Sequence, residues 1–325
     1  MIAHQSTVRA HISHQQKRVN LEKMKSFKIL IIAVVLVAFV AGGLFTMRTS
    51  RGQSQATKSE LVPERVVLAQ RAAAGAPAAS SKGPAANRNA ALRNELSWAF
   101  GRKAQRGWYL YVPLISRLIN TQHQPHTDDF AKALENWQKK KGLAANGILD
   151  STTLYAMVSD WQGRRLKDKA PATPDQLLTA PRSDFYDPAR VDELRQVERQ
   201  TYAAYKRMVA AAMADPSLRL AGANGELASS ERYLKIISSF RSREYQDKLR
   251  RESPNAGSAG LAVNSPHFSG RALDLYVGGE PVDTKDHNRA IQVQTPVYQW
   301  LVRNADRFGF RPYYYEPWHW EYVGK

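Results

Sequence analysis

A histidine and an aspartate stand seven residues apart in the stretch SPHFSGRALDLYV, from Ser265 to Val277. Neutral imidazole and carboxylate are common ligands of catalytic zinc, which takes three protein ligands and keeps a fourth position for water. His267 and Asp274 can supply two of the three. Because the chain has no cysteine, a metal site must use His, Asp or Glu, and structural disulfides and a thiolate nucleophile are excluded.

The residues around this pair predict how the two side chains meet. In RALDLYV, alternate residues of a predicted strand face opposite sides, so Asp274 points at a site while Leu273 and Leu275 pack into the core. Gly270 allows the preceding segment to bend His267 back toward the strand. The sequence therefore predicts a strand with a bend directly before it.

The stretch YEPWHWEY near the C-terminus offers the third ligand. His319 lies beside two tryptophans, and Glu316 stands three residues earlier. In a flat strand these two side chains would face opposite sides, so Pro317 is predicted to mark a bend that brings both to the metal. Glu316 would then be a general base next to the metal and its water.

Other interpretations of these residues stay open. A single histidine beside aromatic side chains is usually packed in a core or exposed on the surface. A rival cluster is formed by Asp283, Asp286 and His287, but the Pro, Gly and Lys residues around it favour an exposed loop.

Two motifs resemble the signature of the VanY-like D-alanyl-D-alanine carboxypeptidases, zinc peptidases of the LAS type. SPHFSGRALD fits the pattern SxHxxGxAxD, and EPWH fits ExWH, in the order and separation of that family. The likeness covers residues 186–324 and includes ISSFRSREYQ, which is similar to the family segment SGYRSxxxQ. Phe240 replaces the tyrosine that is usual in this segment.

The resemblance implies roles for four of these residues. His267, Asp274 and His319 would bind zinc. Glu316 would take a proton from the attacking water and pass it to the leaving amine, which allows an amide to be cut without a covalent intermediate.

Three further residues match substrate-binding positions of the family: Arg241, Ser265 and Gln246. The planar guanidinium of Arg241 suits bidentate capture of a terminal carboxylate, which favours a carboxypeptidase. Arg243 is a neighbouring candidate for the same role. Ser265 and Gln246 have a second interpretation, as a capping residue and a surface polar residue.

Residues 96–162 have a compact helical pattern. Phe130, Leu134 and Trp137 form one apolar face at helical spacing, and Gly142 ends that helix. The stretch FAKALENWQKKKGLAANGILDSTTL resembles a peptidoglycan-binding domain with the signature FQxxxGLxxDGxxGxxT. The resemblance implies a small all-α domain, whose Trp and Leu side chains we assign to its core.

Strands and helices alternate in the C-terminal part without a regular repeat, which predicts an α+β fold with a central, mostly antiparallel sheet. A long helix is predicted from Pro188 to about Ala214 and another over TPVYQWLVRNADRFG, capped by Thr295. The predicted order is a basic leader (1–28), a transmembrane signal anchor (29–47), a disordered tether (48–95), the helical domain (96–162), a linker (163–187) and the zinc-peptidase domain (188–325).

The segment Ile29–Met47 holds 19 uncharged residues, close to the roughly 20 that a helix needs to cross a bilayer. More basic residues precede it than follow it, which places the N-terminus in the cytoplasm. A start at Met24 would instead give a secretory signal with small residues near Ala41 and Gly43. Both interpretations place the rest outside the cytosol, on a single-pass protein of the bacterial cytoplasmic membrane or in the periplasm.

The net charge of +18 lies mostly in the leader and tether. Residues 1–110 carry 17 Lys and Arg against 4 Asp and Glu, a net +13, so the other 215 residues carry only +5. Basic residues in these two segments are explained by orientation in a membrane and by attraction to an anionic cell envelope. Nucleic acid is therefore not the predicted partner.

The resemblance to the VanY-like family implies a zinc-dependent carboxypeptidase that removes the terminal D-Ala of peptidoglycan stem peptides through a metal-activated water. Two alternatives remain, a peptidoglycan endopeptidase of the same fold and a non-catalytic wall-binding scaffold with a structural metal. The sequence does not predict an oligomeric state.

Overall fold

The structure, a computed structural model, describes residues 83–101, 103–252 and 262–324, all within one unit, Gly75–Lys325. The predicted leader, the predicted anchor at 29–47, the alternative signal peptide and most of the predicted tether lie outside these ranges. Among the described residues, none of the helices combines the length and the apolar character that crossing a membrane requires.

The first part of the described chain is mainly helical. Its helices are α1 (Pro84–Glu95), α2 (Val112–Ile119), α3 (Asp128–Lys140) and α4 (Ser151–Gly163). Thr127 and Asp150 cap α3 and α4, since their side chains accept hydrogen bonds from backbone N–H groups of the first turn. Gly142, with φ of 68°, follows α3. The predicted helices in this region are therefore confirmed.

A hairpin of β1 (Ser97–Phe100) and β2 (Lys103–Arg106) makes this part more than all-α, which corrects the sequence prediction. The strands are only four residues long, too short for a clear periodic signal, and β2 (KAQR) has no large apolar residue. The indole N–H of Trp98 on β1 donates to the carbonyl of Gly107, directly after β2, at 2.8 Å and so ties the two ends of the hairpin together.

Helix α1 shows that the predicted disordered tether, 48–95, extends too far. Asn89 on α1 is 0% exposed, and its side chain donates to the carbonyl of Gly147 and accepts from the N–H of Leu149, both at 2.8 Å. Because these partners lie 58 and 60 residues away in sequence, the small-residue composition of the segment could not reveal them.

The second part mixes short strands and helices. Its strands are β3 (Leu177–Thr179), β4 (Gln196–Glu198), β5 (Gly222–Ala223), β6 (Glu226–Leu227), β7 (Ile236–Ser238), β8 (Ala272–Leu275), β9 (Phe310–Pro312) and β10 (His319–Tyr322). Its helices are α5 (Arg199–Met213), α6 (Arg243–Glu252), α7 (Asp286–Gln294) and α8 (Pro296–Asn304). Thr295 caps α8, as predicted.

The central sheet has the strand order β7-β8-β10-β9, and all its pairs are antiparallel. His319 on β10 lies directly opposite Asp274 on β8, and Ser238 on β7 is paired with Asp274 from the other side. Since directly opposed residues share a face of a sheet, this register brings the two predicted ligands together. The predicted mixed fold with an antiparallel central sheet is confirmed.

Two predictions before the sheet are wrong. The helix expected from Pro188 starts only at Arg199, because the residues before it form a 3₁₀ turn and strand β4. Glu198 then caps α5 by accepting from the N–H groups of Gln200 and Thr201. The segment 163–187, predicted as a linker, contains β3, which pairs with β4. The other predicted domain boundaries stay predictions.

Candidate metal centre

Three buried side chains converge at one end of the central sheet. Asp274 comes from β8, His319 from the start of β10, and His267 from the 3₁₀ turn Pro266–Ser269. Gly270, with φ of 66°, ends this turn and forms the predicted bend. One nitrogen or oxygen atom of each of the three side chains lies within 4.8 Å of the other two.

His267 presents a free lone pair to this cluster. Its Nδ1–H donates to the carbonyl of Ser239 at 2.6 Å, and its Nε2 lies 3.4 Å from Oδ1 of Asp274. Burial, together with the nearby Arg241 guanidinium, lowers the pKa of His267 to about 4. The ring is therefore neutral at pH 7, with Nε2 in the form that binds a metal.

His319 faces the cluster through Nδ1, whereas His267 faces it through Nε2. Its Nε2–H donates to Oε1 of Glu321 at 3.2 Å, and its Nδ1 lies 2.9 Å from Oδ1 of Asp274. Burial alone would lower the pKa of His319, but the bonds to Asp274 and Glu321 outweigh it and raise the pKa to about 9. A nitrogen and a carboxylate oxygen at this separation require a proton or a cation between them.

The cluster fits a zinc ion in donor type, and two of its three ligand–ligand distances are close to those of a tetrahedral site. Ligand atoms placed tetrahedrally about 2.0–2.1 Å from zinc are about 3.3 Å apart, and the two distances to Asp274 Oδ1 are 2.9 and 3.4 Å. Burial would raise the pKa of Asp274, but His267, His319 and Arg241 lower it well below its ordinary range, so it is ionised. Two imidazoles and one carboxylate are a common zinc donor set.

The rival cluster is not brought together. Asp286 starts helix α7, and Asp283 accepts from the N–H of Lys285 at 3.0 Å. Within the described ranges, the only group of three or more His, Asp or Glu side chains close enough to share a metal is His267, Asp274 and His319.

Glu316 stands at a turn directly before His319. Its carbonyl accepts from the N–H of His319 at 2.9 Å across Pro317, so the predicted bend is present. The Glu316 side chain is 6% exposed, and its Oε1 has no hydrogen-bond partner among the described residues. Burial raises its pKa to about 7, against the lowering effect of His319. This carboxyl group can therefore hold or release a proton near neutral pH.

A cavity of about 520 Å³ opens in front of these side chains and is lined by all three members of the cluster and by Glu316. Arg241 lines it too, and donates to Oδ2 of Asp274 at 2.7 Å, to Oγ of Ser238 at 2.9 Å and to Oε1 of Gln246 at 3.3 Å. A guanidinium has five N–H groups, so two of those on Arg241 have no partner within the described chain.

The other predicted substrate-binding residues differ in position. Ser265 lines the cavity, but its Oγ also accepts from the N–H of His267 and so caps the turn. Gln246 is 1% exposed and does not line the cavity; its side chain lies between Arg241 and the carbonyl of Ala262. Gln246 therefore contacts Arg241 on the side away from the cavity. Arg243 packs its guanidinium over the ring of Phe268.

Two residues at the centre were not predicted. Glu321 is 0% exposed and accepts from His319 and from Arg165. Burial would raise the pKa of Glu321, but His319 and Arg165 lower it to about 2. Glu321 stands two residues after His319 on a strand, so strand alternation could have placed it on the same face. Arg165 lies 156 residues before Glu321, and no motif in the sequence around Arg165 indicates this contact.

Comparisons with known proteins bear on the C-terminal part. Residues 194–325 match the model of the family described as VanY, D-alanyl-D-alanine carboxypeptidase. A search of curated proteins gave no significant match to the chain.

Two solved structures are similar to part of the chain. The LdcB LD-carboxypeptidase, described with the molecular basis of peptidoglycan recognition, is 22% identical over 49% of this chain and 72% of its own, with a TM-score of 0.35. A vancomycin-resistance D,D-pentapeptidase VanY in complex with Zn(II) is also 22% identical. The match covers 40% of this chain and 74% of that protein's chain, with a TM-score of 0.27. The family match confirms the resemblance seen in the motifs: residues 194–325 of this chain form a VanY-like domain.

Proposed function

We propose that this protein is a zinc-dependent D-alanyl-D-alanine carboxypeptidase that hydrolyses the terminal D-Ala of peptidoglycan stem peptides. One observation carries the proposal: the buried carboxyl group of Glu316, with one oxygen that has no partner in the described part of the chain, lines the same cavity as a cluster with the donor set of catalytic zinc. The match of residues 194–325 to the VanY family supports peptide bond cleavage as the reaction.

Each polar side chain of the cavity has a defined task in this proposal. A zinc ion held by His267, Asp274 and His319 would supply Lewis acidity, which lowers the pKa of water to about 7 and polarises a carbonyl group. Glu316 accepts the proton of the attacking water on Oε1 and delivers it to the leaving amine. The free N–H groups of Arg241 bind the terminal carboxylate of the substrate and fix which bond is cut.

The proposal includes a location. An anchor at 29–47 would hold the protein in the bacterial cytoplasmic membrane as a single-pass protein, with its described part in the periplasm or outside the cell. The peptidoglycan-binding-like domain at 96–162 would raise the local concentration of the catalytic domain at the wall.

We expect the purified full chain, loaded with zinc, to release free D-Ala from a muropeptide pentapeptide and to leave a tetrapeptide, because Arg241 selects the terminal carboxylate. Mass spectrometry of the products measures this directly. Cleavage inside the stem or cross-bridge would replace the proposal with the endopeptidase alternative. An absence of any cleavage would favour the wall-binding scaffold.

A further inference from the structure

The segment that follows helix α4 reaches the back of the metal centre. The Nε–H of Arg165 donates to Oε1 of Glu321 at 3.0 Å, its Nη2 donates to the same oxygen, and the N–H of Leu166 donates to Oε2 at 2.9 Å. Both carboxylate oxygens of Glu321 are thus held by two consecutive residues. Arg165 and Leu166 lie outside the part of the chain that matches the VanY family, residues 194–325, whereas Glu321 lies inside it.

Arg165 is itself fixed on three sides. Its Nη1–H donates to Oε1 of Gln162 on α4 at 3.0 Å, and its guanidinium lies 3.9 Å from the ring centroid of Tyr313. The side chain is only 16% exposed, and that of Glu321 is 0% exposed. A buried carboxylate requires a partner with good geometry, and the planar guanidinium gives it a fixed orientation.

Glu321 in turn sets the state of a ligand. Its Oε1 accepts the Nε2–H of His319, which keeps a proton on Nε2 and turns Nδ1 toward Asp274. Carboxylates that accept the second ring N–H of a metal-binding histidine fix its tautomer and ring orientation. A Glu321 without Arg165 would lose the partner that holds this oxygen in place.

We propose that Arg165 is a positioning residue of the metal centre, which holds Glu321 and through it the ring of His319. This inference rests on the proposed function and deepens it. Arg165 and Lys169 also line the cavity beside Tyr313 and Glu316. The end of the helical part therefore forms one wall of the candidate active site, and the site is incomplete without it.

The test is the zinc affinity of Arg165→Met in the full chain, measured by competition with a chelating dye and without substrate. Loss of a carboxylate that orients a metal-binding histidine typically weakens metal binding by about 10–100-fold, and we expect Arg165→Met, which releases that carboxylate, to lower zinc affinity by up to this factor. Arg165→Lys retains the charge without the planar fork, so it should recover part of the affinity.

Arg117→Met is the matched control. Arg117 on α2 pairs with Asp306 at 2.9 Å and so also joins the helical part to the C-terminal part, but it does not line the cavity and is half exposed. Its loss should leave zinc affinity unchanged. A decrease of the same size in Arg117→Met would mean that any break between the two parts has this effect, and it would overturn the positioning role.

The double variant Arg165→Met with Glu321→Gln covers the case in which Arg165→Met alone fails to fold, because it removes both buried charges. It should bind zinc no more weakly than Glu321→Gln alone, since Arg165 acts through Glu321. Wild-type affinity in Arg165→Met, or additive losses in the double variant, would overturn the inference. If the wild-type chain binds zinc but releases no D-Ala, the proposed function fails while the positioning role is still measurable.

Discussion

Glu316→Gln is expected to lower the rate of D-Ala release by about 10²–10⁴-fold, the usual contribution of a positioned general base. Gln keeps the size of the side chain but cannot take a proton from water. Zinc binding should be retained, because Glu316 is not one of the three side chains that form the cluster. The measurements are kcat on a pentapeptide and zinc content of the purified variant.

Stability provides an independent check on the same variant. Burial raises the pKa of Glu316 from 4.5 to about 7, so the folded, zinc-free chain favours the protonated form. Stability from this group is therefore present below pH 4.5 and is lost as the pH rises through 7, at a cost of about 3 kcal/mol. Glu316→Gln removes this cost, and the zinc-free variant should gain more stability at pH 8.5 than at pH 5.

Glu193→Gln is the control for both measurements, since Glu193 is exposed and lies outside the cavity. It should change neither the rate nor the pH dependence of stability. A Glu316→Gln variant that releases D-Ala within a factor of about ten of the wild-type rate would contradict the role of general base.

Asp274→Asn is expected to have the largest effect on the metal. The Asp274 carboxylate contacts both imidazoles through Oδ1 and Arg241 through Oδ2. Asn is similar in shape but has no charge, so we expect zinc affinity to fall by more than about 100-fold and activity to be lost with it. Arg241 would also remain buried without its anion, which typically destabilises a fold by about 3–5 kcal/mol.

Asp283→Asn is the matched substitution, because Asp283 lines the same cavity but is not in the cluster. Titration of both variants with zinc, followed by urea unfolding, should show wild-type affinity and stability for Asp283→Asn. Tight zinc binding by Asp274→Asn would exclude Asp274 as a ligand.

Local chemistry made much of this fold predictable. The helix that begins at Pro296, its Thr295 cap and the strand around Asp274 depend on residues adjacent in sequence, and the structure confirms each of them. The bend at Pro317 follows in the same way, because a proline between Glu316 and His319 cannot continue a flat strand.

Long-range contacts account for what the sequence did not reveal. Helix α1 depends on Asn89, whose partners are in a loop 58 to 60 residues away. Arg165 meets Glu321 across 156 residues, and its position in a predicted linker suggested no role. Both are buried polar contacts, which stabilise the fold only after distant segments have packed together.

The most direct test of the central claim is the location of zinc by anomalous X-ray scattering from crystals of the zinc-loaded chain. We expect one strong peak about 2.0–2.2 Å from Nε2 of His267, Nδ1 of His319 and a carboxylate oxygen of Asp274. A peak bound by other residues, or no peak in front of Glu316, would contradict it.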